Sequence, residues 1–440
     1  MRTLPGRLRV LVIAEACNPG WSSVPLVGYN FAAALAARTD LDITLVTHVR
    51  NRPQLDSDPL AQRVPIHYID NEWVTGPLFR LGKKLRGGTA LSWTTGTALA
   101  WPGYLAFESA VYQQFRRPLH SGRFDLIHRL TPLTPTIPSP LAGWTTTPML
   151  VGPLNGGLPW PKEFPELRRQ EREWLVPLRN VYRHLPGYRS SYRHLAGVIA
   201  GSRHTASEIP RWFRGRRYYL PENGVDPARF PLAQDWAAPE DRWQFVTVGR
   251  LVPYKGTDMT LEAIAGSPLL RTTRLCILGD GPERGRLESL VATHGLEQCV
   301  RFAGWLSQAE VGQELRRSQA FVFPSLREFG GAVVLEAMAA GLPCVVADHG
   351  GPGELINEDC GVALPLGSRD EMIVRLRSAM EELVRSPERA RAMGQAGCRR
   401  VREQFTWEQK ASRLTTIYQE LLTDGADREV ERCSTPCLSA

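Results

Sequence analysis

The chain consists of short apolar runs that alternate with segments of helical periodicity, and this alternation occurs twice along its length. The runs are continuously apolar and rich in β-branched residues, which is typical of parallel strands buried on both faces of a sheet. They predict strands at 10–14, 43–47, 66–69, 126–128, 149–152, 198–200, 245–249, 275–279, 300–303, 320–324 and 344–347. Helical spacing occurs at 30–37, 258–265, 283–293, 308–317 and 333–340. We therefore expect a doubly wound α/β fold with a parallel sheet in each half.

The alternation pauses over residues 219–240, where four prolines fall in a stretch without periodicity. A proline-rich pause of this kind is typical of a linker between domains. The length of 440 residues also suits two domains. We predict an N-terminal domain over 1–222, a C-terminal domain over 223–404, an amphipathic helix over 405–424 and a disordered tail over 425–440.

The composition excludes several classes of protein. With 43% hydrophobic residues the chain can bury a core, so a mostly disordered protein is excluded. No apolar run approaches the roughly 20 residues of a membrane-spanning helix. The basic and apolar start at 7–16 fits a first buried strand better than a signal peptide. The eight cysteines form no C-x2-C pair, so we expect free thiols, no metal site and a cytoplasmic protein.

The charge balance is basic, with 53 Lys and Arg residues against 45 Asp and Glu and a formal net charge of +8. Nucleic acid, an anionic membrane surface, a phosphorylated substrate and arginine-favouring codon usage would each account for it. Residues 71–119 add eight aromatic side chains to a basic patch at 80–86. That segment fits either a helix in a membrane interface or an insertion packed on the first domain, and its glycines favour the insertion.

Two cations follow a predicted strand in the sequence FVTVGRLVPYKGTD, at Arg250 and Lys255. Ligands of open α/β sheets bind beyond the carboxyl ends of the strands. A guanidinium offers two parallel donors and an ammonium a point charge, so this pair suits a diphosphate. The glycines Gly249 and Gly256 allow a close backbone approach.

The segment 321–343 combines a strand, a loop that contains Glu328 and a helix that contains Glu336. The backbone N–H groups of Phe329–Gly331 fall at the start of this helix, where an anion would bind. Glu336 falls among apolar helix positions, so its carboxylate needs a polar partner. Both carboxylates can accept hydrogen bonds from the hydroxyls of a sugar or a ribose.

Weaker features follow other predicted strands. Gly279-Asp280-Gly281-Pro282 predicts a tight turn at the rim of the same crevice. In the first half, His128 ends a strand, where it suits a structural role as well as hydroxyl binding or proton transfer. The stretch Gly152–Gly157 also follows a strand and can approach a ligand closely, and the loop 18–28 precedes the first helix.

Four motifs together resemble the family-4 retaining glycosyltransferases of the GT-B fold: GRLVPYKG, GDGP, VRFAG and REFGGAVVLEAMAAGLP. The resemblance extends over about residues 219–365 and includes the E-x7-E pair of Glu328 and Glu336. It implies two Rossmann-like doubly wound domains that face a cleft, with a C-terminal helix crossing back to the first domain. It also implies retaining transfer of a hexosyl-type sugar from a nucleoside-diphosphate sugar to a hydroxyl acceptor, in glycan, exopolysaccharide or glycolipid assembly.

The resemblance also implies roles for individual residues. Arg250 and Lys255 would hold the donor diphosphate and stabilise the departing charge. Glu328 would contact the donor sugar and Glu336 the ribose, with the base near 301–304. The other implied donor-binding residues are Gly249, Asp280, Gly281, Phe302, Phe329, Gly330 and Gly331. In this family the acceptor attacks the sugar on the face that the phosphate leaves, and the phosphate takes the acceptor proton, so no protein nucleophile is needed. The resemblance implies neither a metal nor a cofactor.

The acceptor side follows the family less closely. Residues 19–28 read PGWSSVPLVG without the Gly-Gly pair of many relatives, and HRLTP replaces H-x-H at His128. A branch of the family has a similar HRLTP and GP-x-x-GG pattern, which implies a catalytic His128. The implied acceptor-side residues are Gly28, Asn155, Gly156 and Gly157. The resemblance fits a sugar or lipid-linked acceptor and weak contact with the anionic inner face of the cell membrane. It implies no nucleic-acid partner.

Other functions fit the sequence less well. A metal-dependent GT-A enzyme needs Asp-x-Asp after a strand, but Asp56-Ser57-Asp58 lies in a proline-bounded loop and Asp40-Leu41-Asp42 precedes a strand. An epimerase shares the α/β fold but needs a cluster of catalytic carboxylates that the sequence does not show. The alternatives are a catalytically silent GT-B scaffold and a basic protein that binds nucleic acid or membrane.

Overall fold

The computed structural model describes residues 6–77, 93–170, 181–184, 186–231, 233 and 241–433. The chain divides into two compact units. The first draws on 1–157, 173–222 and 410–440, and the second on 158–172 and 223–409. Among the described residues, no helix is both long enough and apolar enough to cross a membrane.

The first unit is built on a seven-stranded parallel sheet in the order β3-β2-β1-β4-β5-β6-β7. Its strands are β1 (Leu8–Ala14), β2 (Leu41–His48), β3 (Ile66–Ile69), β4 (Leu126–Thr131), β5 (Met149–Leu154), β6 (Gly197–Ala200) and β7 (Arg216–Tyr219). Its α-helices, apart from the last of the chain, include Val24–Ala36, Arg52–Leu55, Pro59–Arg63, Trp93–His120, Tyr188–His194 and Arg203–Glu208, and residues 72–77 are also helical.

The second unit contains a six-stranded parallel sheet in the order β10-β9-β8-β11-β12-β13. Its strands are β8 (Gln244–Val248), β9 (Arg274–Leu278), β10 (Val300–Gly304), β11 (Ala320–Phe323), β12 (Cys344–Ala347) and β13 (Gly361–Leu364). Its described α-helices are Pro165–Gln170, Thr257–Ala265, Arg284–His294, Gln308–Arg317, Ala332–Ala339, Gly351–Leu355, Arg369–Arg385 and Pro387–Arg400. This strand order is that of a Rossmann-type doubly wound sheet.

Both faces of the second sheet are buried, which explains its continuously apolar strands. Phe245 and Val322 belong to one core cluster, whereas their neighbours Val246 and Phe321 belong to another. Successive side chains of a strand point to opposite faces, so a strand covered on both faces must be apolar at every position. The doubly wound α/β fold predicted from these runs is confirmed.

Two strands, β7 and β13, are not predicted by the sequence. Each lies at the edge of its sheet and has one neighbouring strand. Only Tyr218 is buried in β7, whose sequence is RRYY, and two of the four residues of β13 are buried. An edge strand buries less surface than a central one, so it need not form an apolar run.

The last helix, Trp407–Cys433, belongs to the first unit from Lys410 onward. Its predicted apolar stripe is buried and comprises Leu414, Ile417, Tyr418 and Leu421. This is the returning helix of the predicted fold class. The helix continues to Cys433, so the disorder predicted from residue 425 is corrected over 425–433, where most residues favour a helix. Residues 434–440 lie outside the described part of the chain.

One segment of the predicted N-terminal domain belongs to the other unit. Residues 158–172 are part of the second unit, although they lie well inside 1–222. Phe164 is buried in its core cluster, and Leu167 packs against that cluster. The segment is short and proline-rich, so no strand or helix periodicity marks it in the sequence.

The aromatic segment 71–119 contributes to the core of the first unit. Its helix Trp93–His120 buries Tyr104, Phe107 and Phe115 in that core. These burials support the packed insertion over a helix lying in a membrane interface. The basic patch at 80–86 lies outside the described residues.

Candidate functional site

The second sheet reverses its winding direction between the neighbouring strands β8 and β11. In doubly wound sheets the ligand crevice lies beyond the carboxyl ends of the strands at such a point. β8 ends at Val248 and β11 at Phe323. The loops that follow these two strands contain Arg250, Lys255 and Glu328, so the topology brings the main predicted residues to one edge of the sheet.

The structure joins Lys255 and Glu328 in an ion pair between Nζ and Oε2. Only 14% of the lysine side chain and 25% of the glutamate side chain remain exposed. Nζ also lies 4.7 Å from the centre of the Phe323 ring, and such partial exclusion of water strengthens an ion pair. Phe323 carries no sequence signal beyond its place at the end of a buried strand. Gly256 follows the lysine at a φ of 70°, a left-handed conformation that glycine adopts without strain.

Arg250 is exposed close to this ion pair. Gly249, Arg250 and Lys255 all line one small cavity. Within the described residues, the guanidinium of Arg250 has no hydrogen bond or ion pair. Its donors are therefore available to an anionic ligand, as the sequence predicts for a phosphate-binding arginine.

The glycine-rich turn after β9 packs directly on the loop after β8. A Cβ on Gly279 would lie 2.0 Å from the carbonyl oxygen of Gly249, and one on Gly281 would lie 2.3 Å from that of Leu251. Only glycine allows these two approaches. Asp280 closes the turn because its carboxylate accepts the N–H of Gly281 at 2.7 Å.

Phe302 lies on β10, next to the same turn. It is half-buried, and the guanidinium of Arg284 lies 6.0 Å from the centre of its ring. The N–H of Gly279 donates to the carbonyl of Gly304 at 2.8 Å. The end of β10, where the nucleobase is predicted to bind, is therefore joined to the glycine-rich turn.

The loop Glu328–Gly331 leads into the helix Ala332–Ala339, with Gly331 at a φ of 64°. Glu328 Oε1 accepts the N–H of Gly331 at 3.4 Å. Phe329 and Gly330 are half-buried between them. The loop therefore folds the Glu328 carboxylate back over the start of the helix.

Glu336 lies in the second turn of this helix and is half-buried. No described residue hydrogen-bonds its carboxylate. Burial raises the pKa of Glu336 to about 7. A carboxyl group that lacks a protein partner and titrates near neutrality is a candidate for contact with a ligand.

His128 lies in the core of the first unit and not at a surface. Its side chain is fully buried. Nε2 donates to the carbonyl of Gly152 at 2.7 Å, and Nδ1 accepts from the hydroxyl of Tyr418 at 2.6 Å. Burial lowers the pKa of His128 to about 4, so the ring is neutral at physiological pH. This placement corrects the predicted catalytic role, because a buried ring with both nitrogens engaged cannot reach an acceptor.

We expect His128→Phe to lower stability while leaving turnover per folded molecule unchanged. Phenylalanine fits the space of the ring but leaves the Gly152 carbonyl and the Tyr418 hydroxyl buried without partners, at a cost of about 2 kcal/mol. Urea unfolding measures the loss, and turnover is compared well below the unfolding midpoint. Tyr418→Phe removes one of the same two hydrogen bonds and should cost about half as much. A stable His128→Phe variant with much lower turnover would show that His128 takes part in catalysis.

The predicted acceptor-side residues are partly structural. A Cβ on Gly28 would lie 2.2 Å from a backbone carbonyl oxygen, so glycine is needed there for packing of the first helix. Asn155 is buried and donates to Glu222 at 2.7 Å. Gly156 and Gly157 have φ angles of 151° and 77°, which glycine adopts readily. Contact of this glycine loop with an acceptor stays a prediction.

The second unit is similar to a known protein family. Residues 229–400 match the family model of the glycosyl transferases group 1. The second unit is a group 1 glycosyltransferase domain. The matched span contains Arg250, Lys255, Glu328 and Glu336.

Curated relatives of this glycosyltransferase domain are similar over less than half of the chain. Glycogen synthase of Mycobacterium tuberculosis strain H37Rv is 34% identical over 203 residues, which cover 44% of this chain and 47% of the relative. A GDP-mannose-dependent monoacylated alpha-(1-6)-phosphatidylinositol monomannoside mannosyltransferase of Corynebacterium glutamicum is 31% identical over 221 residues, 46% of this chain and 55% of the relative. The chain therefore spans about half the length of the curated relatives it matches.

Solved structures are similar over nearly the whole chain. Sucrose-phosphate synthase from Thermosynechococcus elongatus has a TM-score of 0.65 at 20% identity, over 95% of this chain and 100% of that one. Anabaena HepE in complex with UDP has a TM-score of 0.56 at 15% identity, over 94% of this chain and 100% of that one. At these identities the similarity shows the fold alone. It confirms the predicted GT-B class with two Rossmann-like domains.

Proposed function

We propose that this protein is a retaining glycosyltransferase of family 4. It transfers a hexosyl-type sugar from a nucleoside-diphosphate sugar to a hydroxyl acceptor in glycan, exopolysaccharide or glycolipid assembly. The observation that carries the proposal is the Lys255–Glu328 ion pair at the reversal point of the second sheet, with Arg250 beside it. The group 1 glycosyltransferase match over the same unit supports it.

The donor binds at the edge formed by these two loops. Arg250 and Lys255 hold its diphosphate, and Glu328 and Glu336 accept hydrogen bonds from the hydroxyls of the sugar and the ribose. Because Lys255 is already paired in this structure, its ammonium is positioned before a phosphate arrives. Anabaena HepE has been solved with UDP-glucose, and this fold neighbour supports a donor of the same class.

The transfer needs no group beyond these side chains. The bond between the anomeric carbon and the phosphate oxygen breaks, and a bond forms from the acceptor oxygen to the same face of that carbon. The acceptor proton passes to the departing phosphate oxygen, so the charge balances without a protein base. Arg250 and Lys255 stabilise the negative charge that develops on the diphosphate, which is the largest catalytic contribution we assign.

The acceptor is a sugar or a lipid-linked sugar, and we place the protein in the cytoplasm with weak contact to anionic membrane. Trp212 is 46% exposed in the first unit and lies between the exposed Arg211 and Arg214. Cationic and aromatic side chains together suit an anionic lipid surface. Cosedimentation with phosphatidylglycerol vesicles should weaken as salt rises, and equal binding to neutral vesicles would contradict this contact.

A donor panel tests the proposed function. Purified protein is incubated with UDP, GDP and ADP sugars and candidate acceptors, and nucleotide release is measured with and without EDTA. We expect one nucleotide sugar to be consumed at the same rate in both conditions. Loss of activity in EDTA would overturn the metal-independent mechanism. Failure of every nucleotide sugar to bind would favour a catalytically silent scaffold.

Donor binding is expected to become tighter as pH rises through 7, because the pKa of Glu336 is raised to about 7. Below that pH the group is protonated and accepts ribose hydrogen bonds poorly, whereas above it the carboxylate accepts two. Between about pH 6 and pH 8 affinity should improve about tenfold. Calorimetry with an intact nucleotide sugar avoids the titrating terminal phosphate of a free nucleoside diphosphate. Glu336→Gln should remove the pH dependence, and a pH dependence that persists would exclude Glu336 as its source.

A further inference from the structure

Trp160 lies where the two loops of the proposed donor site meet, and only 9% of the residue is exposed. Its ring meets the ring of Tyr254 edge-on, with the ring centres 6.0 Å apart. The guanidinium of Arg327 lies 4.6 Å from the centre of the tryptophan ring. Tyr254 immediately precedes Lys255, and Arg327 immediately precedes Glu328. One side chain therefore contacts the sequence neighbour of each partner in the ion pair.

The two residues before the tryptophan contact the same edge of the sheet. The carbonyl of Pro159 accepts a hydrogen bond from Nε2 of His349 at 3.0 Å. A Cβ on Gly350 would lie 2.6 Å from the side chain of Leu158 and 2.4 Å from the carbonyl oxygen of Glu328. This short stretch of chain therefore lies against the loops that follow β11 and β12.

The two donor-site loops also contact each other directly. The N–H of Leu326 donates to the carbonyl of Tyr254 at 2.8 Å. Within the second loop, Arg327 lies 5.6 Å from the ring centre of Phe329. Aromatic pairs and cation–π contacts favour particular separations and angles. A ring that contacts both loops therefore limits their movement relative to each other in a way that one backbone hydrogen bond does not.

We propose that Trp160 is a positioning residue for the Lys255–Glu328 pair. Through Tyr254 and Arg327 it sets the separation of the two loops that carry the ammonium and the carboxylate. The turnover readout of this inference rests on the proposed function. The loop order that it invokes can be measured without any substrate.

Trp243 provides a matched control for Trp160. It belongs to the same unit, is 6% exposed and lies 6.1 Å from the ring of Phe245 in the core cluster. Truncating either tryptophan removes a similar buried surface. Only Trp160 contacts the residues next to Lys255 and Glu328, so an effect confined to Trp160 reports positioning and not burial.

The first experiment compares Trp160→Leu with Trp243→Leu in the full chain, well below both unfolding midpoints. We expect Trp160→Leu to lower kcat about 10²-fold, because small displacements of catalytic groups have effects of this size. KM should change little, and Trp243→Leu should leave kcat within about threefold of wild type. Trp160→Phe keeps an aromatic face for Arg327 and should recover most of the turnover. Equal kcat losses in the two leucine variants would overturn the proposal.

A double variant tests whether Trp160 acts through Lys255. Adding Trp160→Leu to Lys255→Ala should lower turnover much less than the about 10²-fold that it costs wild type, since one of the two positioned groups is already missing. A further drop of about 10²-fold would show that the two residues act independently and would overturn the proposal.

Hydrogen exchange separates failure of this inference from failure of the proposed function. In the protein without substrate, Trp160→Leu should speed exchange of the amides at 254–256 and 328–331, whereas Trp243→Leu should not. Unchanged exchange in both loops would overturn the positioning role even if the enzyme is active. If no nucleotide sugar is consumed by wild type, the exchange result still decides the inference.

Discussion

Lys255→Ala is expected to reduce turnover about 10³-fold while the fold survives, because the variant loses a cation aimed at the charge that develops on the leaving diphosphate. The substitution also leaves Glu328, whose side chain is 25% exposed, without its partner. Turnover with the best donor of the panel measures the loss. Far-ultraviolet circular dichroism and the melting temperature show whether the protein remains folded.

Lys162→Ala is the matched control, because Lys162 is an exposed lysine of the same unit. It should retain turnover within about twofold. Glu328→Gln keeps the shape of the side chain but removes the charge and should also lower turnover strongly. A Lys255→Ala variant with turnover near wild type would show that the ion pair is a structural feature outside the catalytic site.

Lys410→Met is expected to destabilise the protein by about 1–3 kcal/mol at pH 8, the usual cost of leaving a buried hydrogen-bond acceptor without its donor. Lys410 is fully buried in the first unit. Its Nζ donates to the carbonyl of Pro221 at 2.6 Å, and its charge interacts favourably with that of the buried Glu222. Methionine matches the length of the side chain but leaves the buried Pro221 carbonyl without its donor. Urea unfolding measures the difference.

Two variants control the lysine substitution. Arg413→Met changes an exposed cation one turn along the same helix and should cost less than about 1 kcal/mol. Glu222→Gln combined with Lys410→Met removes both charges and should recover part of the loss. A Lys410→Met variant as stable as wild type would show that the buried Lys410 side chain contributes nothing to the fold.

The same lysine predicts a pH dependence of stability. Burial lowers the pKa of Lys410 from 10.5 to about 7. Between these two values the unfolded chain binds the proton that the folded protein has released, so this group makes stability rise with pH over that window. The free energy of unfolding of wild type should therefore rise between about pH 7 and pH 10, and that of Lys410→Met should rise less over the same range. An unchanged slope would assign the dependence to other groups.

The sequence predicts the central strands because a strand that is buried on both faces has a continuously apolar sequence. β11 shows this, since each of its four positions belongs to one of two core clusters. The edge strands β7 and β13 are not continuously buried: three of the four residues of β7 and two of the four residues of β13 are exposed or half-buried. Local pattern therefore predicts two of the four edge strands, β3 and β10, and misses β7 and β13.

The sequence predicts the donor side of the site better than the acceptor side, for a related reason. Arg250, Lys255 and Glu328 follow strands whose order in the sheet can be anticipated, so their approach follows from topology. His128 is predicted at the end of a strand but lies inside β4, and its burial depends on Tyr418 near the other end of the chain. Trp160 lies in a segment that belongs to the second unit, and no local pattern indicates contact with Arg327.

Calorimetric titration of nucleotide sugars into the protein in EDTA tests the central claim most directly. We predict that one UDP, GDP or ADP sugar binds wild type without metal, that Lys255→Ala weakens this binding at least about tenfold, and that Lys162→Ala does not. Absence of binding by every donor, binding that appears only after a divalent metal is restored, or equal affinity in wild type and Lys255→Ala would contradict the account.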